Sequence, residues 1–177
     1  MNAADASAPA RHTGEGNVMA IAGKNTDLLK KVYLFNDLTQ VELEKIMAIA
    51  YEKSFSKEQP VFQEGEIGDA FYIVTDGQVR ISTIVPGVGE EALKVLRLGD
   101  YFGEMALIDD FPRSAAAIAH ESDIKLLAVY KRDFKKLLAE DKDLAYKLMS
   151  VFIKTLSSRL RDTNDKLKNI FAIAKAF

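Results

Sequence analysis

Hydrophobic patterning divides the chain into three regimes. From 27 to 50, apolar positions recur at helical spacing. The stretch TDLLKKVYLF predicts one helical piece capped by Thr26 or Asp27, and LTQVELEKIMAIA predicts a second. Thr39 and Glu42 have the S/T-x-x-E spacing of a capping box, in which each side chain bonds the other residue's backbone N–H. Val41 or Leu43, then Ile46, Met47 and Ile49 or Ala50, form the apolar face. From 51 to 130, short runs rich in β-branched and aromatic residues alternate with turn signals. VF precedes Glu64-Gly65, AFYIVT precedes Asp76-Gly77, QVRISTIV precedes Pro86-Gly87 and ALKVLRL precedes Gly99-Asp100; AAAIA and DIKLLAVY follow. Asp-Gly between two apolar runs is a hairpin signal, and Val79, Ile81, Thr83 and Val85 alternate with Arg80 and Ser82. From 131 onward the helical period returns. KRDFKKLLAE ends near Asp141, and a helix without Pro or Gly runs from about Lys142 toward the end.

The pattern predicts a mainly β fold with flanking helices (α+β), a jelly roll or small barrel of six to eight antiparallel strands. Its expected organisation is helices over 27–50, a barrel over 51–138 and a long helix over 139–177. Residues 1–26 are rich in small polar residues without apolar periodicity and are expected to form a disordered arm.

Composition narrows the chemistry. At 177 residues the chain suits one domain with a core and additional helix. A net charge of −2 argues against a general nucleic-acid binder. The absence of cysteine excludes disulfides, Cys-zinc sites and thiol catalysis. His12 and His120 are too few for a His-rich metal site, and no apolar run reaches the roughly 18 residues of a membrane span. Val18–Ala22 is too short for a signal-peptide core, so a cytoplasmic protein without a metal or membrane partner is expected.

One segment fits neither strand nor idle loop: FGEMALIDDFPRSAAA, residues 102–117. Gly103 permits backbone that other residues resist, and EMALI favours a short helix starting at Gly103 or Glu104. A helix N-terminus offers unpaired N–H groups to an anion. Small Ala106 lets the anion approach, Arg113 brings a planar fork suited to phosphate, and Ser114 adds a hydroxyl. Glu104 would repel that phosphate but can accept from a sugar hydroxyl. Phosphate beside ribose describes a nucleotide, and one compact phosphate beside a ribose hydroxyl describes a cyclic one. The alternative is that Glu104 and Arg113, nine residues apart, pair across a loop.

The same residues resemble the phosphate-binding cassette of cyclic-nucleotide-binding domains, F-G-E-x-A-L…P-R-[AST]-A. The resemblance spans roughly 35–138, through LFNDLTQVELEKI, EGEIGDAFYIVTDGQVRI, LGDYFGEMAL and YKRDFKKLL. It implies an eight-stranded jelly-roll β-barrel flanked by helices. It also implies that Glu104 binds the ribose 2′-hydroxyl and Arg113 the cyclic phosphate. Phe102, Gly103, Met105, Ala106, Ser114 and Ala115 complete the cassette, with backbone N–H groups of Gly103 through Ala106 and of Ser114 and Ala115 lining the phosphate.

In the long helix, Met149, Ile153, Leu156, Leu160, Thr163, Leu167, Ile170 and Ala174 recur at alternating spacings of four and three. Nearly four heptads with one polar break predict a homodimer seam, the alternative being a helix folded back on its own domain. A second stripe, Leu144, Leu148, Val151 and Phe152, is positioned to pack on the barrel. SRLRDTNDKLKNI is similar to the dimer helix of bacterial catabolite activators, members of the same family. That similarity implies contact of Thr163 with the base of its own ligand and of Asn164 with the base of the partner's, though Asn replaces the family's Ser. The similarity at Thr163 implies cAMP rather than cGMP as the regulatory ligand, and no other cofactor is expected. The expected function is a non-enzymatic cyclic-nucleotide receptor that signals to an unidentified effector protein by helix rearrangement. A transcription regulator would need a helix-turn-helix of roughly 60 residues after the long helix; because the chain stops at Phe177, direct DNA binding is not expected unless this is a fragment. A cupin-type enzyme would need several barrel histidines, and only His120 lies there.

Overall fold

In the computed structural model of the protein, residues 26–175 are described. The expected arm lies outside them apart from Thr26, as do His12, Val18–Ala22 and Phe177. Two short 3₁₀ turns, Thr26–Lys31 and Tyr33–Phe35, lead into α1 (Gln40–Ala48). The capping box forms: Thr39 N–H donates to Glu42 Oε2 at 2.7 Å, and Glu42 N–H donates to Thr39 Oγ1 at 3.3 Å. Leu43, Ile46 and Met47 are the buried face of α1, whereas Val41 is exposed.

Strands β1 (Ala50–Phe55), β2 (Pro60–Phe62), β3 (Ala70–Val85), β4 (Gly89–Leu96), β5 (Tyr101–Phe102) and β6 (Ala116–Tyr130) form one antiparallel sheet. Its path is β1-β6-β3-β4, with β2 added to β6 and β5 to β3. The mainly β fold with flanking helices is thus observed, but with six strands rather than eight, and the sheet is not closed. Two pairs of expected strands have fused. AFYIVT and QVRISTIV are one strand, β3, and AAAIA and DIKLLAVY are one strand, β6. Asp76-Gly77 is therefore not a hairpin turn. Gly77 sits at φ +74° inside β3, with register shifts on either side, between Val74 and Asp76 and between Asp76 and Gln78. Opposite it, β6 passes from Lys125 to His120 through an excursion that includes Glu121 at φ +63°. A bulge of this kind bends both strands without ending them. A Cβ on Gly77 would lie 2.8 Å from Asp123 O, so the close approach also requires glycine.

β3 reads as a continuous apolar run from Ala70 to Val74 because both of its faces are covered. One face carries Phe71 and Ile73 against helices, joined by Leu127 and Val129 of β6. The other carries Ala70, Tyr72 and Val74 with Phe102, Leu126 and Ala128. Helix α2 (Met105–Ile108) follows β5; α3 (Lys131–Glu140) and α4 (Lys142–Ala174) follow β6. Leu144, Leu148, Val151 and Phe152 of α4 are all buried against the helical side of the sheet. Edge-on ring contacts run Phe35–Phe71 (6.4 Å), Phe71–Phe134 (6.4 Å) and Phe134–Phe152 (6.3 Å), tying the entry turns, β3, α3 and α4 together. Among the described residues no helix is long and apolar enough to cross a membrane.

Two ion pairs fasten α1 to the start of α4. Lys147 Nζ reaches both oxygens of Glu42 at 2.9 and 3.0 Å, and Lys45 Nζ reaches Asp141 Oδ2 at 2.7 Å. Asp141 also caps α4, its other oxygen accepting from Leu144 N–H at 3.0 Å. Lys147 and the Thr39 N–H hold the Glu42 carboxyl below the ordinary carboxylate range. A depressed native pKa adds stability that is complete above the ordinary value and is lost as pH falls through the native one. Glu42→Ala removes both the cap and the link to α4, so urea unfolding at neutral pH is expected to show a loss of about 1–2 kcal/mol. The difference from the native chain should shrink once the pH falls below about 4.

Candidate functional site

Between the sheet face and α4 lies a cavity of about 590 Å³. Phe62, Ile81, Leu96 and Phe102 form apolar wall, the cassette from Gly103 to Ala115 forms the rim, and Arg159, Asp162, Thr163 and Lys166 of α4 face it from across the opening. Phe102, Gly103, Glu104, Met105, Ala106, Arg113, Ser114, Ala115 and Thr163 all line the cavity. Asn164 is exposed and does not. The cassette is local in sequence, so β5, α2 and the loops on either side of α2 deliver all of the set but Thr163, which arrives by the folding of α4.

The cassette's conformation follows from its small residues. Gly103 sits at φ +74°, and a Cβ there would lie 2.6 Å from Arg113 Nη1. The Gly103 carbonyl accepts from Arg113 Nη1 at 3.0 Å, and the Ala70 carbonyl accepts from Nη2 at 2.7 Å. Arg113 packs over the Phe62 ring, Cζ to centroid 4.0 Å, and Phe62 in turn contacts the stacked Tyr72–Phe102 pair. Burial pushes the Tyr72 hydroxyl up to about 12, so the tyrosine beneath the guanidinium is neutral. Burial also lowers the Arg113 pKa, while Tyr72, Asp69, Glu66 and Glu104 oppose that shift. The Arg113 Nε–H is buried with no hydrogen-bond partner, a donor in a cationic group lining the cavity. Backbone bonds zip the cassette to the preceding loop: Arg113 N–H to Glu66 O at 2.7 Å and Gly65 N–H to Arg113 O at 2.9 Å.

Glu104 and Arg113 do not pair with each other. Glu104 is 1% exposed, and its carboxylate accepts from Arg159 Nη1 of α4. Arg159 also lies over the Tyr101 ring at 5.7 Å, and Tyr101 Oη donates to Thr155 Oγ1 at 3.4 Å. The loop salt bridge considered from the sequence is therefore absent, and both charged side chains face one cavity with other partners. Neutralised by Arg159, Glu104 can sit near an anion without repelling it, while a second carboxylate oxygen can accept from a hydroxyl.

Sequence reading did not single out Arg159, Gly68, Phe62 or Tyr101. Arg159 lies one helical turn before Thr163, which was singled out, and that spacing is the only signal for it. Gly68 stands in the EGEIGD run, but its role needs the fold: a Cβ there would meet Ala106 Cβ at 2.6 Å, Arg113 Cζ at 2.7 Å and Nε at 2.8 Å. Among the described residues no group of three or more His, Cys, Asp or Glu could hold a metal ion.

The profile described as cyclic nucleotide-binding domain matches residues 52–141. The chain belongs to this family. As a family member it is 33% identical over 134 residues to the cyclic AMP receptor protein of Thermus thermophilus, a match covering 76% of this chain and 60% of that one. It is 31% identical over 132 residues to cGMP-dependent protein kinase 2 of Mus musculus, covering 74% of this chain and 17% of the kinase. The crystal structure of the Thermus thermophilus catabolite activator protein superposes with a TM-score of 0.70 at 30% identity, covering 78% of this chain and 62% of that one. The match thus takes in less than two thirds of each of these proteins.

Arg159→Met leaves the Glu104 carboxylate buried without its cation. Breaking a buried pair costs about 3–5 kcal/mol, but the Arg159 side chain is 48% exposed. Solvent therefore lowers the expected loss in urea unfolding to about 1–3 kcal/mol. Adding Glu104→Gln should restore most of it; a single variant as stable as the native chain would contradict the assignment.

Proposed function

We propose that the chain is a cytoplasmic receptor for a cyclic mononucleotide, cAMP in preference to cGMP, and that it signals to a partner protein. The observation that carries this reading is the arrangement of Glu104 and Arg113, both buried, both lining one cavity and not paired with each other. Arg113 meets the cyclic phosphate, with Ser114, Ala115 and the backbone of Gly103 through Ala106 around it. Glu104 accepts the ribose 2′-hydroxyl. The aromatic and aliphatic wall takes the apolar faces of sugar and base.

Preference for cAMP rests on Thr163. Its hydroxyl donates to the Arg159 carbonyl at 2.9 Å, so it presents an acceptor to the cavity. At the purine 6-position adenine offers an amino donor and guanine a carbonyl acceptor, and the acceptor suits adenine. The relatives named above include one called a cyclic AMP receptor and one called a cGMP-dependent kinase, so they favour neither base and the preference rests on Thr163.

The position of α4 supports the signalling part of the reading. From Ile153 onward it carries an exposed apolar line through Ile153 (68%), Leu160 (62%), Leu167 (45%) and Ile170 (58%). Tyr146, seven residues before Ile153, extends the line toward the start of the helix. This repeat suits pairing with a second copy of the chain, which would bring Asn164 toward the partner's ligand. Ligand drawn between the cassette and α4 shifts the population of helix arrangements, provided the two states differ in affinity.

Calorimetry tests the binding claim. A lost charge-assisted hydrogen bond is worth about 1.5–3 kcal/mol, so Arg113→Ala should weaken cAMP binding more than about tenfold, with competition by cGMP weaker than by cAMP. Unchanged affinity in the variant would overturn the site. Sedimentation equilibrium tests the seam: the native chain should be dimeric and Leu160→Glu monomeric, and a native monomer would overturn it.

A further inference from the structure

Lys131, the first residue of α3, joins three segments that the binding chemistry does not explain. Its backbone N–H donates to Asp69 O at 2.7 Å. Its ammonium donates to the carbonyl of Asp109 and, at 2.7 Å, to Asp110 Oδ1. Asp69 follows Gly68, whose Cα faces the Arg113 guanidinium, and Asp109 and Asp110 lie just before Arg113 in the cassette. One residue therefore fastens both sides of the Arg113 cradle to the helix that precedes α4.

We infer that Lys131 is a positioning residue that relays movement of the cassette to α3, and so to α4. The inference rests on the cyclic-nucleotide reading of the cavity and names the link through which that site would be read out.

The two ammonium contacts are unequal. Asp110 is 91% exposed on its side chain, and such a pair is worth little in water. The Lys131 side chain is only 15% exposed, and its bond to the Asp109 carbonyl is partly buried. A charge-assisted bond to a backbone carbonyl, shielded from solvent, is the stronger tie. It also acts on the cassette backbone rather than on a mobile carboxylate. The Asp110 carboxyl is held below its ordinary range chiefly by its hydrogen bond with Lys131, consistent with the two being in contact. From Lys131 the path is short. Phe134, one turn on, packs edge-on against both Phe71 of β3 and Phe152 of α4. Coupling of this kind needs a contiguous set of packed and bonded groups, and cassette, Lys131, Phe134 and Phe152 form one.

Hydrogen exchange of the whole chain with and without cAMP tests the relay. In the native chain, ligand-induced protection should appear in 102–115 and in 131–140 with the same dose dependence. In Lys131→Met the cassette should still respond while the change in 131–140 is lost, with Lys131→Arg restoring it and Asp110→Asn leaving most of it. A Lys131→Met chain whose α3 responds as the native one does would overturn the relay alone. A native chain that binds cAMP but whose cassette and α3 respond at different ligand concentrations would overturn it without recourse to a variant. No response to cAMP or cGMP in any segment of the native chain would overturn the binding reading as well.

Discussion

A buried carboxylate must be met by a cation or by donors, and the cation that meets Glu104 stands on a different element. Arg159 reaches it from α4, across the opening of the cavity. Much else depends on this choice of partner. If Glu104 were neutralised by Arg113, the cassette would be a closed loop with no charge left for a ligand. With Arg159 as the counter-charge, Arg113 keeps its guanidinium over Phe62 and bonds only carbonyls, and its Nε–H stays without a partner. The same contact holds the middle of α4 against the rim, so the element that closes the cavity also carries the exposed apolar line.

Glycine makes that geometry attainable. Gly68 and Gly103 each stand where a methyl group would strike the Arg113 guanidinium. Arginine needs room on both sides to lie flat against an aromatic ring while bonding two backbone carbonyls. The aromatic group beneath it, Phe62, Tyr72 and Phe102, is the far side of the sheet core, so the cation is seated on packed structure rather than on a loose loop. The helical side of the sheet is built separately, around Phe71 and Phe134, and takes in residues of α3 and α4.

What could be read from the sequence was what is local. The Thr39–Glu42 box, the short helix after Gly103, the break at Asp141 and the buried stripe of Leu144, Leu148, Val151 and Phe152 all depend on neighbours within a turn or two. The cassette was legible for the same reason, since its polar and small residues sit within one run of 16. Strand number was not. Asp76-Gly77 has the local chemistry of a hairpin, and only the pairing of β3 with β6 on both sides of it makes the same dipeptide a bulge. Arg159 looked like one more exposed cation in SRLRD, because its partner is 55 residues earlier. Gly68 gave no sign that it borders Arg113, since that contact exists only once the sheet has formed.

In the proposed reading, Glu104 and Arg113 serve different parts of one ligand. A crystal structure of the chain with cAMP tests it most directly. The cyclic phosphate is expected within hydrogen-bonding distance of Arg113 and the ribose 2′-hydroxyl on Glu104, with Arg159 still neutralising the carboxylate. A nucleotide bound elsewhere, or in this cavity with neither group touching its assigned residue, would contradict it.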